Sequence, residues 1–527
     1  MRFLHNGVWA IAALLVACGG GGGGSTIVAT GWVKGQFSPA SAHAAMCVTP
    51  RSGIDPVTNK AFVDQQGTAL DEKNWLRSWT NDLYLWFSEV PDQDPATFTS
   101  DATYFTALKT TATTPSSRAK DQFHFTYATA SWEALSQSGV AAGYGVSFAL
   151  LAKKPPRNAV IAYTEPGAAA TMAPASLARG AKILAVDGVD LVNANDQASI
   201  DKLNAGLSPK TVGESHTFSI LDAGAVTPRD VTLVSANITL APVRNVQVLP
   251  MATGPVGYML FNDHIATAEA ALVSAFTTLQ NAQVKDLILD IRYNGGGYLD
   301  IASEVAYMIA GQTRTVGQTF ELTQFNTKNP TIDPVTGKTI APVGFHATSL
   351  GFSGPAGQAL PTLNLSTVYV LTGPGTCSAS ESIINSLQGI NVNVIQIGST
   401  TCGKPYGFYP ADNCAVTYFS IQFQGVNAKN FGNYPDGFSP VNTSTNVGAT
   451  IPGCSVADDF AHALGDPMEG VLASALSYRA NGICLTGPTG QQADRRFAQG
   501  YVPPSANGTV IKSFWQRNRI YRQRENQ

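Results

Sequence analysis

The sequence predicts an α/β core of mixed sheet with flanking helices, preceded by a β-rich domain and a small N-terminal helical domain. Three observations carry this reading. Trp75, Trp79, Leu83 and Trp86 recur at helical spacing within residues 71–135. From residue 140 the chain breaks into short apolar runs separated by turns. From 250 to 480 apolar strands alternate with helical stretches. At 527 residues the chain is too long for a single core. Its 44% hydrophobic and 13% charged residues exclude a disordered, charge-stabilised chain. A net charge of −3 provides no basic field, so nucleic acid is not an expected partner.

Met1-Arg2 precedes the apolar run Gly7–Ala17, which is too short to span a bilayer but has the length of a signal-peptide core. The run ends in Leu15-Val16-Ala17-Cys18, which resembles the bacterial lipoprotein signal. That resemblance implies a signal peptide over 1–17, acylation of Cys18, and a Gly/Ser/Ala-rich tether over 18–45. The protein is then expected in the cell envelope, anchored to outer-membrane lipid on its periplasmic or surface face. Six further cysteines stand at 47, 377, 402, 414, 454 and 484. An even number in an oxidising compartment predicts disulfides. Proximity in sequence favours Cys402–Cys414 and Cys454–Cys484. No CxxC occurs and the seven histidines are scattered, so no metal site is expected.

Residues 46–137 form the expected helical domain, with Asp71 as a plausible N-cap and the tryptophan stripe as core. Residues 138–242 open with Gly143-Tyr144-Gly145-Val146-Ser147-Phe148. The run Ala159–Tyr163, the turn Glu165-Pro166-Gly167 and a hairpin at Val186-Asp187-Gly188 follow. This order resembles a PDZ domain. The resemblance implies that Gly143, Tyr144, Gly145 and Val146 bind a peptide C-terminus, the peptide adding as a strand. Phe148 replaces the third glycine of a dinucleotide fingerprint, which excludes that alternative.

Within 243–481 the expected strands are Leu287–Ile291, Val368–Leu371 and Val392–Ile397, with a helix over Ser378–Leu387. The segment 482–527 ends with Lys512, Arg517, Arg519, Arg522 and Arg524 and is expected as a solvated tail. Contact with anionic lipid or cell-wall polymer is its alternative role.

Three segments carry chemistry together. They are Asp290-Ile291-Arg292-Tyr293-Asn294-Gly295-Gly296-Gly297, Gly375-Thr376-Cys377-Ser378-Ala379-Ser380-Glu381, and Gly398-Ser399-Thr400-Thr401-Cys402-Gly403-Lys404-Pro405. In this order, over roughly 70–470, they resemble the C-terminal processing (tail-specific) serine peptidases. The resemblance implies Ser378 as nucleophile, Lys404 as base, and the N–H groups of Gly296 and Ala379 as the oxyanion site. A serine needs a base. A lysine acts as one only when uncharged, which burial promotes. A helix start offers free N–H groups to an oxyanion. Ser380 and Glu381 are expected to stabilise the helix start. No acid flanks Lys404 in sequence.

The same third segment fits a phosphate-loop pattern, but Pro405 stands where a Ser or Thr must bind magnesium. Many relatives carry a glutamine four residues after the lysine; here that position is Phe408, and Gln422 and Gln424 are the candidate substitutes. His264 and His124 lie in no matching motif and are expected to be structural. The implied activity is a serine endopeptidase with protein or peptide substrates and no cofactor. The alternative is a non-catalytic, PDZ-type peptide-binding lipoprotein descended from such an enzyme.

Overall fold

A computed structural model describes residues 32–56, 59–152, 154–443 and 448–485, and the backbone of 519–521. Cys18 and most of the C-terminal segment lie outside the described residues. The core is a six-stranded sheet in the order Val243–Leu249, Val256–Phe261, Asp286–Asp290, Thr367–Thr372, Asn393–Gly398, Gly453–Ser455. The first pair is antiparallel and every later pair is parallel. All three strands expected from apolar runs are present.

Both faces of this sheet are covered, which explains why its strands read as continuous apolar runs rather than alternating ones. Leu287, Leu289, Val368, Val370 and Val394 pack against the helices Ala268–Asn281, Leu299–Ala310 and Ala379–Gly389. The alternate residues Ile288, Leu371, Ile395 and Ile397 pack against Val471, Leu472 and Ala475 of the helix Gly470–Asn481.

The first long helix spans Ala69–Leu83, and its N-cap is Thr68 rather than Asp71. Asp71 is the third residue of the helix and closes a capping box. Its carboxylate accepts from the Thr68 N–H at 2.9 Å, and its own N–H donates to Thr68 Oγ1 at 3.2 Å. Trp75 and Trp79 are buried and stacked, while Trp86 lies beyond the helix end. The helical region is not free-standing. Tyr84, Phe123, Phe125 and Trp132 belong to the same apolar cluster as the sheet, and Phe125–Ala128 pairs with Val416–Phe419.

The β-rich domain is an antiparallel sheet ordered Arg229–Val234, Ser215–Leu221, Lys182–Val186, Asn158–Thr164, Val146–Ala152, closed by the helix Gln197–Leu207. The short strand Val189–Asp190 pairs with Lys182–Val186. Val146–Ala152 is an edge strand. Phe148, Ile161, Ile183, Leu203 and Phe218 fill the interior. Val140–Gly143 and Ala236–Thr239 pair at the neck where the chain enters and leaves.

The disulfides are Cys47–Cys414, Cys377–Cys402 and Cys454–Cys484. The expected Cys454–Cys484 pair is present. The expected Cys402–Cys414 pair is not: Cys402 is bonded to Cys377, 25 residues earlier, and Cys414 to Cys47, 367 residues earlier. The segment after 482 is not wholly a solvated tail either. Residues Arg519–Tyr521 form a strand parallel to Gly296–Tyr298, whose edge supplies a partner that composition does not reveal.

Candidate active site

Three neighbouring parallel strands end in the three motif segments. Asp286–Asp290 leads to Gly296, Thr367–Thr372 to Ser378, and Asn393–Gly398 to Lys404. Adjacent parallel strands deliver their C-terminal loops to one edge, the usual site position in an open α/β sheet. Thr376 Oγ1 donates to the Ile291 carbonyl at 2.8 Å. The Cys377 N–H and Ser380 Oγ both donate to the Asn294 carbonyl at 3.0 Å. The first two loops are thus joined before Ser378 is reached.

Ser378 is fully buried at the N-cap of Ala379–Gly389, with φ 65° and ψ −116°. A positive φ is rare for a residue with a Cβ and persists only where the surroundings impose it. Ser378 Oγ has no hydrogen-bond partner among the described residues. The Ala379 N–H, first in the helix, has no carbonyl one turn earlier to bond.

Glu381 fixes both loops. Its carboxylate is fully buried. Oε2 accepts from the Ser378 N–H at 2.9 Å and the Lys404 N–H at 2.8 Å. Oε1 accepts from Thr401 Oγ1 at 2.5 Å and the Gly403 N–H at 2.8 Å. Burial pushes the Glu381 carboxyl up, opposed by these four donors. Lys404 has no acid beside it in sequence, but folding brings this one to its backbone. Glu381 does stabilise the helix start, as expected, and also reaches the lysine loop. The Cys377–Cys402 bond is a second tie between the same two loops.

Lys404 is fully buried, its Nζ 4.3 Å from the Phe408 ring centroid and 4.9 Å from that of Phe123. Phe408, at the position of the relatives' glutamine, therefore faces the amine with an aromatic surface. Gln422 is bonded through its amide to the backbone of Tyr409, at 3.1 and 3.3 Å. Gln424 donates to the Gly432 carbonyl at 2.8 Å. After Lys404 comes the short strand Tyr406–Gly407, not the helix a phosphate loop requires.

Gly296 has φ 98°, and its N–H donates to Asn294 Oδ1 at 3.0 Å. At Gly297 a Cβ would fall 2.5 Å from the His264 carbonyl oxygen, so only glycine fits. His264 is buried beside the strand Gly296–Tyr298. Its N–H donates to the Gly296 carbonyl, its carbonyl accepts from the Tyr298 N–H, and Nδ1 lies 3.0 Å from Asn294 Oδ1. His124 stacks on Phe105, far along the chain from any motif. Asn294 and Glu381 are the organising residues that sequence reasoning underrated. Their signal was position alone: each lies within a motif, two residues before Gly296 and three after Ser378.

A cavity of about 350 Å³ separates the β-rich domain from the core. Its walls include Phe148 and Leu150 of the edge strand and Gly373 and Gly375 of the serine loop. Of the loop residues expected to bind peptide, Gly143 closes the neck pair, Tyr144 is buried with its hydroxyl on the Gly206 carbonyl, and Gly145 has φ 74°. Val146 begins the edge strand. Arg179 joins the two units, donating to Asp458 Oδ1 and the Tyr293 hydroxyl at 2.7 Å each. Asp458 and Glu469 also hold the buried Arg292 at 2.8 Å each.

Residues 255–407 match peptidase family S41, and residues 71–127 match the peptidase S41 N-terminal domain. The chain is S41-like in both segments. S41 peptidases are serine peptidases, and the longer match contains Gly296, Ser378 and Lys404. The chain is 28% identical over 225 residues to the carboxyl-terminal-processing protease of Synechocystis sp. (strain ATCC 27184 / PCC 6803 / Kazusa). That match covers 42% of this chain and 44% of the relative, less than half of either. The fold is shared with the crystal structure of a protein from Bacteroides fragilis NCTC 9343 assigned to the S41 proteases. The TM-score is 0.55 at 22% identity, over 78% of this chain and 97% of that one. The photosystem II D1 C-terminal processing protease aligns at a TM-score of 0.40 and 18% identity, over 73% and 94%.

Proposed function

We propose that this S41-like chain is a serine endopeptidase that cleaves protein substrates through a Ser378–Lys404 dyad. One observation carries the reading. A single oxygen of Glu381 holds the backbones of both residues, so two loops 26 positions apart converge on one buried point. Ser378 Oγ attacks the scissile carbonyl and forms a C–O bond. Lys404 takes the hydroxyl proton and returns it to the leaving amine as the C–N bond breaks. Water then hydrolyses the acyl-enzyme. Burial of Lys404 takes its amine out of water, which disfavours the charged form and so supports a base role. The Ala379 N–H supplies one oxyanion donor. The Gly296 N–H supplies the other once it leaves Asn294.

In this proposal the β-rich domain is a PDZ module that receives substrate C-termini on its edge strand Val146–Ala152. Cys18 is acylated and holds the protein to outer-membrane lipid in the cell envelope. Ser378→Ala and Lys404→Ala are each expected to abolish cleavage of unfolded protein while leaving the melting temperature within a few degrees. Cleavage retained by either purified variant excludes the dyad.

The second reading, a peptide-binding protein without turnover, is favoured by Phe408 and by the engagement of the Gly296 N–H. It predicts tight binding of C-terminal peptides with no adduct on Ser378 from an activated ester.

A further inference from the structure

The strand Gly296–Tyr298 has two edges. One is bonded to His264: the Gly296 carbonyl and the Tyr298 N–H both point to it. Because backbone groups alternate along a strand, those of Gly297 face the opposite edge. This edge begins at the proposed oxyanion glycine, and all three residues are buried. A buried, unpaired strand edge is costly and readily accepts another strand. Here it is filled by Arg519–Tyr521 of the same chain, running parallel with Gly296 opposite Arg519, Gly297 opposite Ile520 and Tyr298 opposite Tyr521. The inserted strand also lies alongside Tyr406–Gly407, directly after Lys404. It therefore crosses the cleft between the oxyanion loop and the base loop.

We propose that the Gly297 edge of this strand is a strand-accepting subsite for extended peptide, and that the chain's own C-terminal strand occupies it as an intramolecular inhibitor. The inhibitory part rests on the peptidase reading; the seating of the strand does not. An incoming substrate must displace Arg519–Tyr521 from the same backbone groups, so the two compete. Residues 485–518 provide ample length to reach the cleft from the end of the core, at roughly 3.3 Å per residue when extended. Recognition is by main-chain pairing, the mode by which extended peptides join exposed sheet edges.

The test compares the full chain with one ending at residue 514, using two independent readouts. Hydrogen exchange is expected to show a slow Gly297 amide in the full chain, at any protein concentration, while the Gly296 and Tyr298 amides stay on Asn294 and His264. The Gly297 amide should become fast on truncation and slow again when a synthetic peptide of residues 515–527 is added. Unchanged exchange on truncation overturns the seating. Protection that disappears on dilution overturns the intramolecular form in favour of a second copy.

The other readout is labelling of Ser378 by a fluorophosphonate. A tail that blocks nine molecules in ten leaves one competent, so truncation should speed labelling about tenfold. Equal labelling rates in the two forms overturn the inhibition. If exchange responds and neither form labels or cleaves, the peptidase reading fails while the strand site stands. Intact-mass loss of the tail on incubation would make the segment a substrate and would also overturn the inhibitor.

Discussion

Glu381 is the residue on which the site's geometry depends. Four donors, from both the serine and lysine loops, converge on its carboxylate. Glu381→Ala leaves those donors buried without an acceptor, at about 1–3 kcal/mol each. The expected result is a stability loss of at least about 4 kcal/mol by urea unfolding. Glu381→Gln keeps the size but can satisfy fewer donors, so turnover should fall more steeply than stability. A Gln variant with native turnover would show that the two loops hold their positions without it.

A second buried carboxyl sets a pH dependence. Glu304 is pushed up to about 9 by burial first and then by neighbouring Glu269. In the unfolded chain it titrates in the ordinary carboxyl range. Between that range and about 9, the folded state holds a proton that the unfolded state has lost. Its contribution to stability is complete at low pH and fades as pH rises through that window. Denaturation midpoints measured across the window should fall in the native protein, and Glu304→Gln should flatten the slope.

At the scale of elements, Ala379–Gly389 and the lysine loop are tied twice, by Glu381 and by Cys377–Cys402. The disulfide closes a loop of 25 residues. Replacing both cysteines by alanine should cost about 3 kcal/mol. Turnover should fall as well, since the bond flanks both members of the proposed dyad. Replacing Cys454 and Cys484, remote from the dyad in sequence, should lower the melting temperature with little change in kcat. Equal effects of the two pairs on kcat would remove any positioning role from Cys377–Cys402.

The strands and the Ser378 helix were legible because a sheet covered on both faces needs unbroken apolar runs, as in Leu287–Leu289 and Val368–Leu371. The N-cap was misplaced because Asp71 and Thr68 are both good cap residues, and only the backbone shows which one precedes the helix. The Cys47–Cys414 pair spans 367 residues, a proximity created by long-range contacts such as the pairing of Phe125–Ala128 with Val416–Phe419 and the Ala45 N–H on Asn413 Oδ1. Asn294 gave no more signal than an ordinary polar residue near a turn, and Glu381 no more than an acid at a helix start. The strand Arg519–Tyr521 has no apolar pattern of its own and depends on the edge it meets.

Across the whole molecule, the β-rich unit is joined to the core by its neck and by Arg179, whose partners Asp458 and Tyr293 belong to the core. Arg179→Met should cost about 3 kcal/mol at this largely buried pair. It should also loosen the two units, seen as proteolytic cutting near the neck that the native protein resists. An unchanged cleavage pattern would show that the neck, with the contacts of Arg244 to Thr164 and Glu165, holds the two units without it.

The central claim is that buried Lys404 activates buried Ser378. The most direct measurement is mass spectrometry of the Ser378 peptide after reaction with a fluorophosphonate, comparing the native chain with Lys404→Ala. The account predicts an adduct on Ser378 in the native chain and a rate lower by at least about a hundredfold in the variant. No adduct on the native chain, or equal rates in both, would contradict it.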